Sequence, residues 1–383
     1  MGSAYTALAR GLDAAFWNPA NLGLKDNPQL SINLISFGVR FGNSTISRTA
    51  YNLYSGKFLT QSDKESILRE IPTGGFRLDA QSEFRLLSLS YHNFAIVING
   101  EALASGRIAK DYIDLALKGN ELGRKYSFTG TQAASYVISN AKISFGFPIH
   151  IPLFQEFAIG ATLKYFQGFG FASLDNLEGT FVTYDDGIDS DGRIIARYSK
   201  GGSGFGANIG LVMVPEQGLT IGFVINNIFA QSTWSKEAQE RDATYFTRLL
   251  TVENAEQDSV YDYENTKRKI AKISYTNPKY VRLGIAYEMT DWIITIDMAL
   301  QKRQYSYLTP SPRMSFGAEY KKLSWILPRA GLIFGGTRNF APAFGFGIQY
   351  KKFLLDLGFS YQRALLPFFA RGATFSLSSK LLF

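Results

Sequence analysis

Phe375-Ser376-Leu377-Ser378-Ser379-Lys380-Leu381-Leu382-Phe383 sets Leu377, Leu381 and Phe383 opposite Ser376, Ser378 and Lys380. Side chains that alternate apolar and polar in this way belong to a strand with one apolar and one polar face. The pattern fills the region upstream as well. Residues 314–320 place Met314, Phe316, Ala318 and Tyr320 on one face and Ser315, Gly317 and Glu319 on the other. Residues 344–350 repeat it with Phe344, Phe346, Ile348 and Tyr350, and in 353–361 Asp356, Gly358 and Ser360 alternate with apolar side chains. An aromatic residue still in register at the end of a final strand is rare in a water-soluble sandwich. It is expected of a membrane barrel, whose last strand closes the sheet against the first.

Composition narrows the alternatives. Apolar residues make up 46% of the 383 and charged residues 19%, yet the mean hydropathy is only −0.05. A helical membrane protein needs uncharged apolar runs of about 20 residues, and the strongest candidate, 94–98, stops at Asn99. Thirty-six glycines and 15% aromatics suit strands with aromatic belts at two membrane interfaces. Cysteine is absent, which removes disulfides, thiol nucleophiles and cysteine-ligated metals and fits an oxidising envelope. The net charge of +8 is scattered through turns (Lys321, Lys322, Lys351, Lys352) and loops rather than gathered in a stripe, so nucleic acid is not an expected partner. No basic start with an apolar core precedes residues 4–11; a barrel must be exported, so a processed chain or a late gene start is expected.

Alternation and turn punctuation predict fourteen strands: 29–41, 84–91, 94–105, 134–147, 157–172, 204–214, 219–233, 278–288, 292–305, 313–320, 325–337, 343–350, 353–363 and 370–383. Short connections follow even-numbered strands. The long ones, 42–83, 106–133, 173–203 and 231–277, all follow odd-numbered strands. That parity is the one expected of short periplasmic turns and long outer loops. The fold class is thus all-β, an antiparallel transmembrane barrel over 29–383, with residues 1–28 left over to fill its lumen. Helices are expected in two outer loops. Residues 61–70 open with the acids of a helix start, and 108–118 place Ile108, Tyr112, Leu115 and Ala116 on one face before Gly119-Asn120. Ile108, Tyr112 and Leu115 are candidate contacts for hydrophobic solutes.

Catalytic constellations are weak. The two histidines, His92 and His150, fall in periplasmic turns, so a hydrolytic site at the outer rim lacks its base and no enzyme is expected. The acidic run at 185–192 departs from an EF-hand, with Gly187 and Tyr198 where acids are needed, and reads as a hairpin tip. Residues 201–206 are glycine-dense but lead into a strand, not a phosphate-binding helix. Neither a metal nor a cofactor is expected. The 231–277 loop, rich in both charge signs, is long enough for a docking surface.

In the amino-terminal segment, residues 4–10 read as one or two helical turns stopped by Gly11, and Asn18-Pro19 forces an extended or turn conformation. Gly2-Ser3-Ala4-Tyr5-Thr6-Ala7-Leu8-Ala9 followed by Phe16-Trp17-Asn18-Pro19-Ala20-Asn21-Leu22 resembles the opening of FadL-type outer-membrane proteins. This superfamily includes long-chain fatty-acid and aromatic-hydrocarbon channels and the PorV/PorQ group linked to type IX secretion. Asn226-Asn227-Ile228-Phe229, ending a strand, is a further likeness. The resemblance implies a fourteen-stranded barrel in the bacterial outer membrane with a hatch, here Phe16, Trp17, Asn18, Pro19, Ala20 and Leu22. It implies a passive channel for hydrophobic small molecules gated by that hatch, or alternatively a plugged scaffold binding a secreted or surface protein through its outer loops. No solute-carboxylate residue carries over; Gly168 and Gly170, or Gly335 and Gly336, are candidate strand kinks. Outer-membrane lipids and the barrel-assembly machinery are expected partners, with Phe375, Leu377, Leu381 and Phe383 as the assembly signal.

Overall fold

The computed structural model describes residues 1–86, 88–257, 260–301, 312–323 and 325–383. The strand Leu30–Asn43 decides the architecture, because it has neighbours on both sides. It pairs antiparallel with Phe76–Arg85 and Ser88–Tyr91 on one edge and with Gly372–Leu382 on the other. A sheet whose first and last strands are hydrogen-bonded has no free edge, and the wall is a closed antiparallel barrel.

The barrel is inside out relative to a soluble protein. Phe37 and Phe41, Ile96 and Ile98, Phe145 and Phe147, Leu283 and Ile285, and Ile294 and Ile296 are exposed on the outer face. Their neighbours in sequence, among them Ser36, Asn99, Ser144, Thr295 and Asp297, are buried inside. No water-soluble chain leaves a continuous aromatic and aliphatic girdle outside while burying its polar residues. This is the surface of a protein solvated by lipid.

All the strands lie in one sheet, twenty-one segments among the described residues. The excess over fourteen has two causes. Three walls are broken in mid-span: Phe76–Arg85 from Ser88–Tyr91, Leu219–Asn226 from Ala230–Lys236, and Ile273–Thr276 from Tyr280–Glu288. At the second break Asn227 has a left-handed φ of 55°. Its backbone N–H donates to Asn208 Oδ1 (3.0 Å) and its side-chain amide to the Pro278 carbonyl (2.9 Å), so the backbone groups freed there regain partners. The other cause lies outside the wall. The expected loops 173–203 and 231–277 are largely strands. Glu156–Tyr184 runs on past the wall to pair with Gly187–Ser199, which pairs with Gln239–Leu250, and that with Tyr261–Lys269. Tyr126–Ser127 adds a short rim segment.

Helix Gln61–Glu70 lies where expected, with Thr60 and Asp63 forming a capping box. The second expected helix is Lys110–Lys118, and Ile108 instead ends the strand Phe94–Ile108. The correction is physical: Ile108 pairs with Phe76 in the ladder, which outweighs its helical spacing. Helix Arg48–Tyr54, capped by Ser47, was not expected. Of the strand expected at 292–305, residues 302–305 lie outside the described residues, as do Leu87 and Ser324.

Candidate functional site

Residues 1–28 run across the inside of the barrel as short helical pieces, Gly11–Asp13, Ala14–Trp17 and Pro19–Gly23. Residues 4–10 form turns rather than a helix ending at Gly11; the regular pieces begin there. Asn18 is extended, as a residue before proline should be, and its Oδ1 accepts the Ala20 N–H (3.1 Å) while Pro19 opens the next helix. Its amide donates to the Leu211 carbonyl on the wall (2.9 Å). Asn21 donates to the Thr6 and Ala9 carbonyls (3.0 and 2.9 Å), tying the two halves of the segment together.

Wall glycines make room for this segment. A Cβ on Gly146 would lie 2.5 Å from Gly23 N, one on Gly160 2.3 Å from Ala20 N, and one on Gly210 2.0 Å from Asn18 Oδ1. Gly222 and Gly284 meet Thr6 and Ala7, Gly317 meets Met1, and Gly331 meets Gly2. Several are direct cross-strand partners: Gly146 with Gly160, Gly160 with Gly210, Gly222 with Gly284 and Gly317 with Gly331. Backbone thus lies against backbone around much of the circumference, a closeness that only glycine permits.

Polar contacts fix the segment's position. The Asp297 carboxylate accepts from the Tyr5 N–H (3.1 Å), the Thr6 N–H (3.0 Å) and Thr6 Oγ1 (2.5 Å). With three donors on one oxygen, removing this acceptor would leave the buried Thr6 N–H and hydroxyl without their partner, which is costly. Asp13 receives Lys380 Nζ at 2.6 Å and Arg85 at 3.5 Å. Arg329 pairs with Glu319 and Asp356, both at 2.5 Å. Phe16 takes cations close to its ring, Arg85 at 3.5 Å and Lys142 at 4.1 Å, and Arg282 lies 4.7 Å from the Trp17 ring. Between the segment and the wall remains a cavity of about 380 Å³, lined by Tyr5, Trp17, Arg338, Ser360 and Thr374 among others.

The lumen also has an apolar region. Trp234, Phe171, Phe166, Ile138, Ile273 and Tyr275 form a buried cluster. Trp234 packs over Gly168, where a Cβ would come within 2.4 Å of the ring. Phe166 and Phe171 are five residues apart and by strict alternation would face opposite sides. A bulge opposite Val137/Ile138, at the expected Gly168–Gly170 kink, resets the period and turns both rings inward. Gly335 and Gly336 do not kink a strand; they have positive φ where one ends.

Of the expected site residues, Asn18, Pro19, Ala20 and Leu22 are buried against the wall, and Phe16 and Trp17 face its cations. Tyr112 is exposed and edge-on to Phe128 (5.5 Å), Leu115 is half-buried, and the buried residue of that helix is Asp114. Phe375 and Phe383 are exposed on the lipid side, with Leu377 and Leu381 half-buried. Asp297, Thr6 and Trp234 were missed. The glycine register would have revealed the wall's inner contact line, because the glycines recur at inward positions of adjacent strands.

Three solved structures share this fold over nearly the whole chain. A FadL homologue of Pseudomonas aeruginosa is 12% identical with a TM-score of 0.53, covering 100% of this chain and 96% of its own. The monoaromatic hydrocarbon channel CymD is 10% identical with a TM-score of 0.53, covering 100% and 97%. The toluene transporter TodX of P. putida is 10% identical with a TM-score of 0.51, covering 97% and 94%. At such identities the likeness is one of fold: a FadL-type barrel, whose lipid-facing exterior belongs in the bacterial outer membrane. Among curated proteins no sequence matches. A family model does match, over residues 65–298, and by it the chain belongs to TraF_2, the family described as "F plasmid transfer operon, TraF, protein".

Proposed function

We propose that this protein is an outer-membrane channel for hydrophobic small molecules, closed at rest by residues 1–28 acting as a hatch. Split strands counted once and rim strands left out, its wall has fourteen positions. The observation that carries the reading is the buried apolar and aromatic cluster around Trp234 and Phe171, held inside the barrel. The shared fold supports it, since CymD and TodX are described as hydrocarbon and toluene channels. A solute would partition into the cluster and pass when the contacts of Asp297 with Thr6 and of Asp13 with Lys380 give way. Such a channel needs no catalytic group and no cofactor.

A second reading is a barrel that stays closed and holds a secreted or surface protein. It is favoured by the strands Gly187–Ser199, Gln239–Leu250 and Tyr261–Lys269, which extend the sheet beyond the wall. One preparation tests both. Proteoliposomes should take up toluene or a long-chain fatty acid faster than empty vesicles. Uptake equal to the empty vesicles for both solutes overturns the channel, and a stoichiometric protein retained through mild detergent would then favour the scaffold.

A further inference from the structure

The outer rim above the sheet closure carries an apolar surface that the lumen does not use. Helix Arg48–Tyr54 and the turn Pro367–Phe369 bury none of their side chains. They are joined to each other: Thr49 Oγ1 donates to the Phe368 carbonyl (2.8 Å), and the Arg48 N–H donates to the Ala370 carbonyl (3.2 Å). Tyr51, Leu365, Leu366, Phe368 and Phe369 all lie more than half exposed. Water alone is a poor solvent for such a group, and contiguous apolar surface of this kind marks an interface.

Its position says which interface. The lipid-facing rows of Leu30–Asn43 and Gly372–Leu382 lead up to it, through Phe37 and Phe41 on one strand and Phe375 on the other. Asn43 is then bonded to Arg371 at the base of the turn (2.8 Å), so the girdle and the patch are one surface. The Arg48 guanidinium sits 6.0 Å over the Phe368 ring, an aromatic and cationic pairing that suits the boundary between acyl chains and phosphate-bearing headgroups. We propose that this patch is a lipid-inserting rim: Phe368, Phe369, Leu365 and Tyr51 enter the outer leaflet at its acyl–headgroup boundary, with Arg48 facing the phosphates. The partner is therefore lipid, and the rim holds the barrel's closing seam at a fixed depth.

The chain contains no cysteine, so single cysteines report without interference. Spin labels on Phe368→Cys and Leu365→Cys would be compared in lipid nanodiscs with Leu283→Cys on the lipid face of the wall and Val252→Cys at an outer hairpin tip. Val252 is 97% exposed beside Glu253. Collision with dissolved oxygen should exceed collision with a water-soluble nickel chelate several-fold at the two rim positions, as at Leu283. A ratio like that of Val252 would overturn the proposal by placing the patch in water. Low access to both quenchers would overturn it too, because a protein surface would then cover the rim. Using two exposed rim sites keeps the result readable if either variant folds poorly.

Discussion

Gly160 and Gly170 are ten residues apart in the strand Glu156–Tyr184, on either side of a bulge, and differ in what they face. A methyl on Gly160 would collide with Ala20 N and Pro19 C at 2.3 and 2.4 Å, and both are backbone atoms that cannot swing aside. A methyl on Gly170 meets nothing within 4 Å. Gly160→Val should therefore lift the amino-terminal segment from the wall, at a cost of about 1–3 kcal/mol for overpacking. Limited proteolysis would read it as faster cleavage within residues 1–28 of a barrel that still folds. Gly170→Ala should leave that cleavage rate unchanged, and equal rates in the two variants would contradict the close-contact argument. Residue identity was only half legible here. Asn18-Pro19-Ala20 announced a specific conformation, but a glycine in sequence says only that a side chain is missing. Which glycines face the segment depends on strand register, which no single position encodes.

At the scale of elements, the wall strands were legible and the outer extension was not. Wall strands such as Met314-Ser315-Phe316 alternate because one face meets lipid and the other the lumen. Every residue of Tyr261–Lys269 is exposed, so both of its faces want polar side chains and the period of two disappears. Bulges did the same on a smaller scale at Phe169. What holds the extension is charge. Glu240 accepts from Arg197 Nε (2.7 Å) and Arg268 Nε (2.9 Å) on the strands to either side. The hydrogen bond from Arg197, followed by that from Arg268, holds its carboxyl below the ordinary glutamate range, and Arg193 does the same for Asp242. A carboxyl whose folded value is depressed stabilises the fold above its unfolded value. That stability is lost as pH falls through the folded value. Acidification from neutrality to below roughly pH 4 should thus raise amide hydrogen exchange in residues 239–269 before the wall responds. Protection there that stays constant across that range would contradict the charge argument.

For the whole molecule, closure is the organising fact. Leu30 and Phe383 exchange both backbone hydrogen bonds (3.2 and 2.8 Å), and the Lys352 ammonium lies 4.1 Å from the Phe383 ring. Deleting Phe383 should reduce the amount of folded, heat-modifiable protein in the outer membrane several-fold while leaving solute uptake per folded molecule unchanged. Normal yield would contradict its role in assembly. The wall glycines that contact the first two dozen residues come from strands between Gly146 and Gly331, and Tyr5 is bonded to Asp297 across 292 positions. Residues 1–7 therefore meet these wall partners only when strands from Leu219–Asn226 to Ile326–Gly335 are in place. Contacts so distant along the chain incur loop-closure entropy before they give any stabilisation, and they slow folding. The barrel must wrap around residues 1–7, whose seats on the wall are completed only by strands from the second half of the chain.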